Sequence, residues 1–384
     1  MSASMIARII SFTFIFLSLA NVSFAQTSAQ AEAAAREALQ RLEAAIGGSA
    51  PSSTAVNTIT PPVQLTQGGA QPAWVNDPYT VYNRDRYFAA VGSAASRNQA
   101  EARALSALAA IFGQSIQSDF MVAAMYTEAV ENGAVNVSEN TNIRDTITRA
   151  ASMDNLIGAQ IGYVWDSGRN TIYAAAYLDK ERAVSIYTDL VIINNSNIAL
   201  LTNMSGNEKN TFDGFARYRL ASQIALINAN YAAVISQSGG SAAALNLNSA
   251  EYYKLEADNI FRNITVTVSV HNDRANRVQN AFAGALSSQG LRTRGNNPPY
   301  ILEVFVFANE AVFPNNNFKW CVMEVSANLV ESSTGAALIP FSFNLREGHS
   351  TYANAETRAY AAAEREIAEK FSVLLREYLA SVMP

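Results

Sequence analysis

Apolar residues recur along this chain with two periods, one typical of strands and the other of helices. Residues 264–270 alternate between isoleucine or valine and threonine or serine, which predicts a strand with one buried face. Runs of β-branched and aromatic residues bounded by turn residues predict further strands. These predicted strands span residues 87–92, 158–165, 171–178, 300–307, 318–330 and 336–345.

Other segments place an apolar residue at every third or fourth position, which is the period of an amphipathic helix. The helix that follows the first of these strands begins with Ser96 and Gln99. They are spaced as a capping box, in which the two side chains bond free amides of the first turn. The predicted helices cover residues 35–46, 97–116, 179–201, 211–235, 278–285 and 360–378.

The order of these elements predicts an α+β protein with two domains, each a small antiparallel or mixed sheet packed by helices. The first domain covers residues 72–235 and contains a hairpin at 166–170, where Asp, Ser, Gly and Asn favour a turn. Residues 236–257, which contain a Gly-Gly pair, are predicted to be a linker. The second domain covers residues 258–384, where a strand, a helix, three strands and a helix predict a two-layer sandwich.

The N-terminal segment has the pattern of a secretory signal peptide. Arg8 precedes an apolar run of about a dozen residues, and Ser23 and Ala25 are the small residues that a signal peptidase reads. We expect export and cleavage after Ala25, which removes residues 1–25. The run is shorter than the ~20 residues that cross a bilayer, and no later stretch is apolar enough, so no transmembrane segment is expected. Residues 26–71 are predicted to form an amphipathic helix and a flexible linker.

Cysteine content and charge bear on disulfides, on lipid attachment and on the class of partner. The sequence has one cysteine, Cys321, which excludes an intrachain disulfide. Gln26 follows the predicted cleavage site, where a lipid anchor would need a cysteine. Removal of residues 1–25 removes Arg8 and no acidic residue, so the formal net charge of -5 becomes -6. Such an acidic chain disfavours nucleic acid as a partner.

No spacing of residues indicates a metal or cofactor site. His271, His349 and Cys321 lie far apart in the sequence and match no metal-ligand motif. The sequence also has no glycine-rich phosphate loop and no dinucleotide-binding fingerprint. Cys321 lies in an alternating strand, which predicts a buried, unreactive thiol. We therefore expect no metal, no cofactor and no catalytic residue.

The densest polar run extends from Arg346 to Ser350 and is predicted to lie in a loop between the last strand and the last helix. Arg346, Glu347 and His349 are candidate binding residues there, and a histidine next to a serine also allows a hydrolase. The sequence lacks the Gly-x-Ser-x-Gly elbow that supports such an activity. Turn and helix-cap roles are the favoured interpretation of these residues.

Two further pairs of residues are candidates for binding polymers or anions. Arg217 and Arg219 carry guanidinium groups suited to a carboxylate or a wall polymer, although solvated helix charges are the favoured interpretation. Asp77 and Asp85 lie near tyrosines, as carboxylates that bind or hydrolyse sugars do. For this pair, an exposed loop leading into the first strand is the favoured interpretation.

The residues of the first domain resemble those of a known family. The Tyr-Phe-Ala-Ala-Val-Gly run at 87–92, the helix residues 96–108, the strand residues 173–176 and the Pro-Ala-Trp sequence at 72–74 carry the resemblance. They are similar to the Lpp-twenty family of bacterial envelope lipoproteins over roughly residues 72–190. The C-terminal domain is weakly similar to the α+β domains of the TolB N-terminal, FlgT and curli-secretion type.

The resemblance implies a structural or assembly role, because members of this family are envelope proteins and some are associated with flagellar structures. We expect a non-catalytic periplasmic protein that binds other envelope proteins, such as flagellar or outer-membrane components, and that reaches the outer membrane only through a partner. Exposed aromatics among its 16 tyrosines and 18 phenylalanines would anchor such partners.

Two alternatives stay open at the level of the sequence. One is a wall-polymer or small-anion binder that uses Arg217 and Arg219 or the polar run near residue 346. The other is a hydrolase that uses Arg346, Glu347 and His349. The sequence does not fix the oligomeric state.

Overall fold

The computed structural model describes residues 64–112, 156–295, 297–313 and 317–382. The predicted signal peptide and N-terminal helix lie outside these residues. The chain divides into two compact units, each with one sheet packed against helices, which confirms the predicted α+β class. The predicted domain boundaries themselves stay a prediction. The described residues of the first unit are 64–112, 156–203 and 220–253, and those of the second are 204–219 and, apart from the short gaps, 254–382.

Both units contain strands and helices. The strands are β1 (Gln64–Gln67), β2 (Tyr87–Ala94), β3 (Gln160–Asp166), β4 (Ile172–Asp179), β5 (Val266–His271), β6 (Tyr300–Ala311), β7 (Lys319–Glu331) and β8 (Ala337–His349). The helices are α1 (Arg97–Ala109), α2 (Lys180–Thr202), α3 (Gly206–Lys209), α4 (Phe212–Gln237), α5 (Ala250–Asn263), α6 (Arg277–Ser288), α7 (Tyr352–Glu366) and α8 (Ser372–Val382).

The sheet of the first unit has the strand order β1–β3–β4–β2. β1 is parallel to β3, and the other neighbouring strands are antiparallel. The predicted hairpin between β3 and β4 is present, with Gly168 and Asn170 at positive φ angles of 69° and 62°. β1 lies where the sequence indicated a linker. Its side chains are all exposed, so its order comes from backbone pairing with β3 and leaves no apolar pattern in the sequence.

Helix α1 packs closely on β2 because the facing residues are small. Ala100 and Ala104 are fully buried. A Cβ atom added to Gly92 of β2 would lie 2.2 Å from the backbone nitrogen of Ala104 and 2.6 Å from the carbonyl oxygen of Ala100. The glycine therefore sets the distance between the helix and the sheet.

The start of α1 differs from the prediction. Ser96 is the N-cap residue with extended backbone angles, but its side chain makes no capping hydrogen bond, so the predicted capping box is wrong. Ser96 and Gln99 are exposed, and water is available to the first-turn amides. A capping box is instead present at α3, between Ser205 and Glu208.

Helices α2 and α4 contribute apolar and polar residues to the core of the first unit. The predicted stripe of α4, from Leu220 to Val234, is buried. Asn228 of α4 accepts a hydrogen bond of 2.8 Å from Asn194 of α2 and donates one of 3.0 Å to Asn195. These bonds satisfy amide groups that burial removes from water.

By length and composition, α2 is apolar enough to cross a membrane, and it is the one such helix among the residues that the structure describes. This composition departs from the expectation that no segment after the signal peptide is sufficiently apolar. In the structure, 56 % of the most apolar 18-residue stretch of α2 is buried, as in the core helix of a folded unit.

The sheet of the second unit has the order β5–β6–β7–β8, with β5 parallel to β6 and the other pairs antiparallel. Its inner face packs against the helices α6 to α8. Phe371, in a π-helical turn between α7 and α8, lies 4.9 Å from Phe282 of α6 and 5.5 Å from Phe341 of β8, measured between ring centroids. Arg277 of α6 binds both carboxylate oxygens of Glu364 of α7, at 2.7 and 2.8 Å. The predicted two-layer sandwich is confirmed.

Two elements differ from the prediction: one strand is longer, and one helix lies in a predicted linker. β6 continues to Ala311 because its last residues remain paired with β7, as far as Trp320. α5 begins at Ala250, inside the segment 236–257 that was predicted to be a linker. Its first residues are mostly exposed, so they leave only a weak apolar pattern in the sequence.

Candidate binding surface

The residues from Arg346 to His349 form the end of β8 rather than the predicted loop. Their backbone continues the ladder with β7, where Arg346 pairs with Val322 and His349 pairs with Lys319. Because side chains alternate along a strand, Arg346 points to the face opposite that of Glu347 and His349. The structure therefore does not bring these three predicted residues together in one site.

His349 and Ser350 lie at the junction of β8 and α7. The Oγ atom of Ser350 is 3.0 Å from Nδ1 of His349. Within the described part of the chain, no carboxylate contacts the other ring nitrogen of this histidine. A hydrolytic triad also needs that third group to orient the base.

Arg217 and Arg219 both lie on α4, two residues apart. Residues with this spacing do not face each other on a helix, so the pair does not form a clamp. Nε of Arg217 is 2.7 Å from the carboxylate of Asp213, one turn earlier on the same helix. The guanidinium group of Arg217 is thus already paired, and Arg219 is half-buried.

No group of three histidine, cysteine, aspartate or glutamate residues that could hold a metal ion is present among the described residues. Cys321 is buried in β7, as its alternating strand predicts. Its Sγ atom lies 4.0 Å from the hydroxyl of Tyr352, and burial raises the pKa of the thiol. A buried thiol with a raised pKa is a poor nucleophile.

Asp77 and Asp85, in the segment before β2, take part in its turns. Asp77 accepts a hydrogen bond of 3.0 Å from the backbone nitrogen of Tyr79 and lies 3.9 Å from a guanidinium nitrogen of Arg84. Asp85 donates its backbone N–H to the side chain of Asn83 at 2.8 Å. Asp77 is therefore a cap of a short 3₁₀ turn, and both residues are exposed.

The face of the first sheet opposite α1 carries an aromatic cluster. Tyr82 stacks on Tyr177 at 4.8 Å, and Trp165 stacks on Tyr173 at 5.5 Å, between ring centroids. Tyr82 is 5 % exposed, and burial raises the pKa of its hydroxyl. That hydroxyl lies against Gly162, where an added Cβ would be 2.0 Å away. The cluster is a packed second core and not an open site.

The outer face of the second sheet, opposite α6 to α8, carries aromatic side chains that reach solvent. In β6, Phe305 and Phe307 are 40 % and 49 % exposed. Val304, which precedes them, and Val306, which lies between them, are buried. His271 of β5 stacks on Phe305, with ring centroids 4.7 Å apart and an interplanar angle of 14°. This strand thus presents apolar side chains on both of its faces.

The aromatic side chains continue toward the β6–β7 hairpin. Phe313 lies edge-on to Trp320 with ring centroids 5.6 Å apart, and the guanidinium carbon of Arg346 is 5.9 Å from the centre of the Phe313 ring. Trp320 covers Gly348, where an added Cβ would meet the indole ring at 3.1 Å. We call this set of side chains the aromatic surface; it comprises His271, Phe305, Phe307, Trp320 and Phe313.

Two exposed carboxylates border the aromatic surface. Glu303 lies two residues before Phe305 in β6, and Glu324 of β7 is directly opposite Phe307 in the ladder. Within the described part of the chain, neither carboxylate has a lysine or arginine partner. Lys319, nearer the hairpin, is paired with Glu310 at 3.0 Å. The charge beside Phe305 and Phe307 is therefore negative, and the exposed Arg346 adds one positive charge on the same face, nearer Phe313.

The sequence contains a signal for this surface in addition to its periodicity. Residues 304–307 read Val-Phe-Val-Phe, and a strand with four consecutive apolar residues must place two of them on each face. A one-sided sheet would show alternation instead, as residues 264–270 do. The run therefore indicates either a covering layer or an exposed apolar face.

Comparison with known proteins gives one family and distant structural relatives. No curated protein matches the sequence. A secreted protein of Helicobacter pylori is 12 % identical with a TM-score of 0.37, and the match covers 74 % of this chain and 98 % of that one. A minor lipoprotein from Acinetobacter baumannii is 13 % identical with a TM-score of 0.23, covering 32 % and 96 %. The rare lipoprotein B from Shewanella oneidensis is 10 % identical with a TM-score of 0.22, covering 30 % and 95 %.

The family match falls on the first unit. It begins at Pro72, before the aromatic cluster, and ends at Asp179, the last residue of β4. It thus includes β2, α1 and the β3–β4 hairpin, which carry the motif seen in the sequence. The family is one of lipoproteins, whereas the only cysteine of this sequence is buried in β7. The resemblance is therefore confirmed for residues 72–179, which match the LPP20 lipoprotein family.

Proposed function

We propose that this protein is a non-catalytic component of the bacterial envelope that binds other envelope proteins through the aromatic surface. The observation that carries the proposal is the exposure of Phe305 and Phe307 on the outer face of the second sheet. Buried aromatic anchors supply much of the energy of protein–protein binding, because each ring loses a large apolar area and little conformational entropy. The family match supports a location in the envelope.

The place of action that we propose is the periplasm, with outer-membrane association through a partner. The predicted signal peptide supports export, and the match to a family of lipoproteins supports association with the envelope. A flagellar role rests on the family resemblance alone, and no contact within the described residues bears on it. Normal swimming and intact basal bodies in cells that lack the protein would exclude this special case.

The alternative functions have less support. A hydrolase that uses Arg346, Glu347 and His349 would need their side chains on one side of β8, and they alternate across it. An anion binder that uses Arg217 and Arg219 would need two free guanidinium groups on one helix face. Arg217 is paired with Asp213, and Arg219 points elsewhere.

The experiment is crosslinking in cells, followed by affinity recovery of the tagged full-length protein. We compare the natural protein with a Phe305→Ser/Phe307→Ser variant. We expect a defined set of envelope proteins to be recovered with the natural protein, and its yield to fall by about tenfold or more in the variant. Both positions are exposed, so the second unit is expected to fold normally in the variant.

A matched control is Val373→Ser/Leu374→Ser, which removes exposed apolar side chains from the helical side of the same unit. This control is expected to recover the same proteins as the natural protein. His349→Ala is a second control, and it separates binding from hydrolysis. Equal recovery of envelope proteins by the Phe305/Phe307 variant and the natural protein would contradict the proposal. So would a His349→Ala protein that recovers the same proteins but no longer functions in cells.

A further inference from the structure

The aromatic surface has the length and arrangement that suit a helix rather than an extended peptide. From Phe305 to Ala311, which pairs with Trp320, β6 advances six residues, about 20 Å at the ~3.4 Å rise of an antiparallel strand, which matches roughly 14 residues of α-helix. A helix satisfies its own backbone hydrogen bonds. An extended segment lying on the face of a sheet would leave its backbone groups without partners, and such segments instead add to sheet edges.

The charges beside the surface define the side chains that such a helix must carry. Glu303 and Glu324 are exposed, border Phe305 and Phe307, and have no cationic partner in the part of the chain that the structure describes. Lysine or arginine residues that flank apolar residues on an approaching helix would pair with these carboxylates. The formal net charge, -5 for the full sequence and -6 after removal of residues 1–25, attracts a basic partner at longer range as well.

We infer that the aromatic surface binds an amphipathic, basic helix of an envelope protein. The inference rests on the proposed function and deepens it, since it names the class of partner. The apolar stripe of the helix covers Phe305, Phe307 and Trp320, and its basic residues lie beside Glu303 and Glu324. An anionic membrane surface is the competing occupant, and the same two carboxylates would repel it.

The test measures binding of the full mature protein to two labelled helical peptides of about 14 residues, one of leucine and lysine and the other of leucine and glutamate in the same pattern. We expect the lysine peptide to bind at least about tenfold more tightly at low salt, and the difference to shrink at high salt. Fluorescence anisotropy of the label reports binding.

The deciding variant is Glu303→Lys/Glu324→Lys, which is expected to reverse the preference between the two peptides. Glu369→Lys/Glu377→Lys is the matched control, because it makes the same change in net charge at exposed positions on the helical side of the unit. This control should retain most of the preference for the lysine peptide. Glu303→Gln/Glu324→Gln, expected to reduce the preference by about threefold, replaces the lysine variant if that variant does not fold.

Each remaining outcome separates the inference from the proposed function. One outcome is that the variants at Glu303 and Glu324 keep the natural preference while Phe305→Ser/Phe307→Ser binds neither peptide. That result would contradict the inferred basic helix and support the aromatic surface as a docking site. If no variant changes binding, both proposals fail. Binding of phosphatidylglycerol or phosphatidylcholine vesicles that is lost in the phenylalanine variant would overturn the helix in favour of a membrane.

Discussion

Replacement of Gly92 by alanine tests how the first unit is assembled. The new Cβ would lie 2.2 Å from the backbone nitrogen of Ala104 and 2.6 Å from both the carbonyl oxygen of Ala100 and the carbonyl carbon of Arg103. All three atoms belong to the backbone of α1, so no side-chain rotation relieves the contact. The helix itself must move by about 1 Å before these distances approach the ordinary 3.4 Å.

The loss in free energy of unfolding follows from the packing contacts that this movement of α1 breaks. Ala100, Ala104 and Leu108 are fully buried between α1 and the sheet, and a displaced helix loses contact at each of them. Overpacking of this kind typically lowers the free energy of unfolding by about 1–3 kcal/mol. Because the obstacle is backbone, we expect about 3 kcal/mol, which corresponds to a fall of roughly 6–12 °C in the Tm of the first unit.

Thermal and urea unfolding followed by tryptophan fluorescence measures the effect. Trp74 and Trp165 report on the first unit, and Trp320 reports on the second. Gly284→Ala is the control, since Gly284 is an exposed residue of α6 with nothing within 4 Å of an added Cβ. It should stabilise the protein by about 0.5–1 kcal/mol. A Gly92→Ala protein as stable as the natural one would refute the close helix–sheet contact.

Three further experiments, on two variants and on the natural protein, have defined outcomes. Hydrogen bonding by Arg277 lowers the pKa of Glu364, so the pair stabilises the fold above the ordinary carboxyl pKa of 4.5 and this contribution is lost as the pH falls through the lowered value. Glu364→Gln should therefore cost about 0.5–1 kcal/mol at neutral pH and little in acid, measured by urea unfolding at both pH values; an equal loss at both would contradict the ion pair. Tyr82→Phe should leave stability unchanged or raise it by up to about 1 kcal/mol, because the buried hydroxyl has no hydrogen-bond partner among the described residues; a loss of more than that in thermal unfolding would reveal a partner. Cys321, whose pKa is raised by burial, should react with a thiol reagent only on the timescale of unfolding, and rapid labelling of the native protein would show that the site is open.

The strands and helices with strong periodicity were predictable from the sequence. The alternation at 264–270 and the stripe from Leu220 to Val234 reflect burial of one face, which is the property that the period measures. β1 and the first residues of α5 were not predictable, because their side chains are exposed and their order comes from backbone pairing or the helix itself. Periodicity detects burial and not backbone hydrogen bonding.

The end of β8 shows a second limit. Arg346, Glu347 and Gly348 are typical of turns, yet they lie in a strand because β7 continues beside them to Lys319. Trp320 packs over Gly348 and compensates for the side chain that the glycine lacks. A partner strand distant in sequence therefore overrides the local preference.

The candidate site was the least predictable part. The sequence predicts binding at polar residues, since catalysis and anion binding need such groups; these are Arg217, Arg219, Arg346, Glu347 and His349. Binding through an exposed apolar face uses residues that a sequence cannot distinguish from core residues without knowing which face is covered. The Val-Phe-Val-Phe run at 304–307 indicates two apolar faces, and only the structure shows that one of them reaches solvent.

The hydrogen bonds of Asn228 with Asn194 and Asn195 determine where the chain tolerates insertions. A purely apolar contact between α2 and α4 would allow one helix to slide along the other, because leucine, isoleucine and valine replace one another in such contacts. Here a slide of one turn would break both amide bonds and leave each amide against apolar neighbours, at about 1–3 kcal/mol per group. Changes in chain length are therefore expected between residues 202 and 212, and not within either helix.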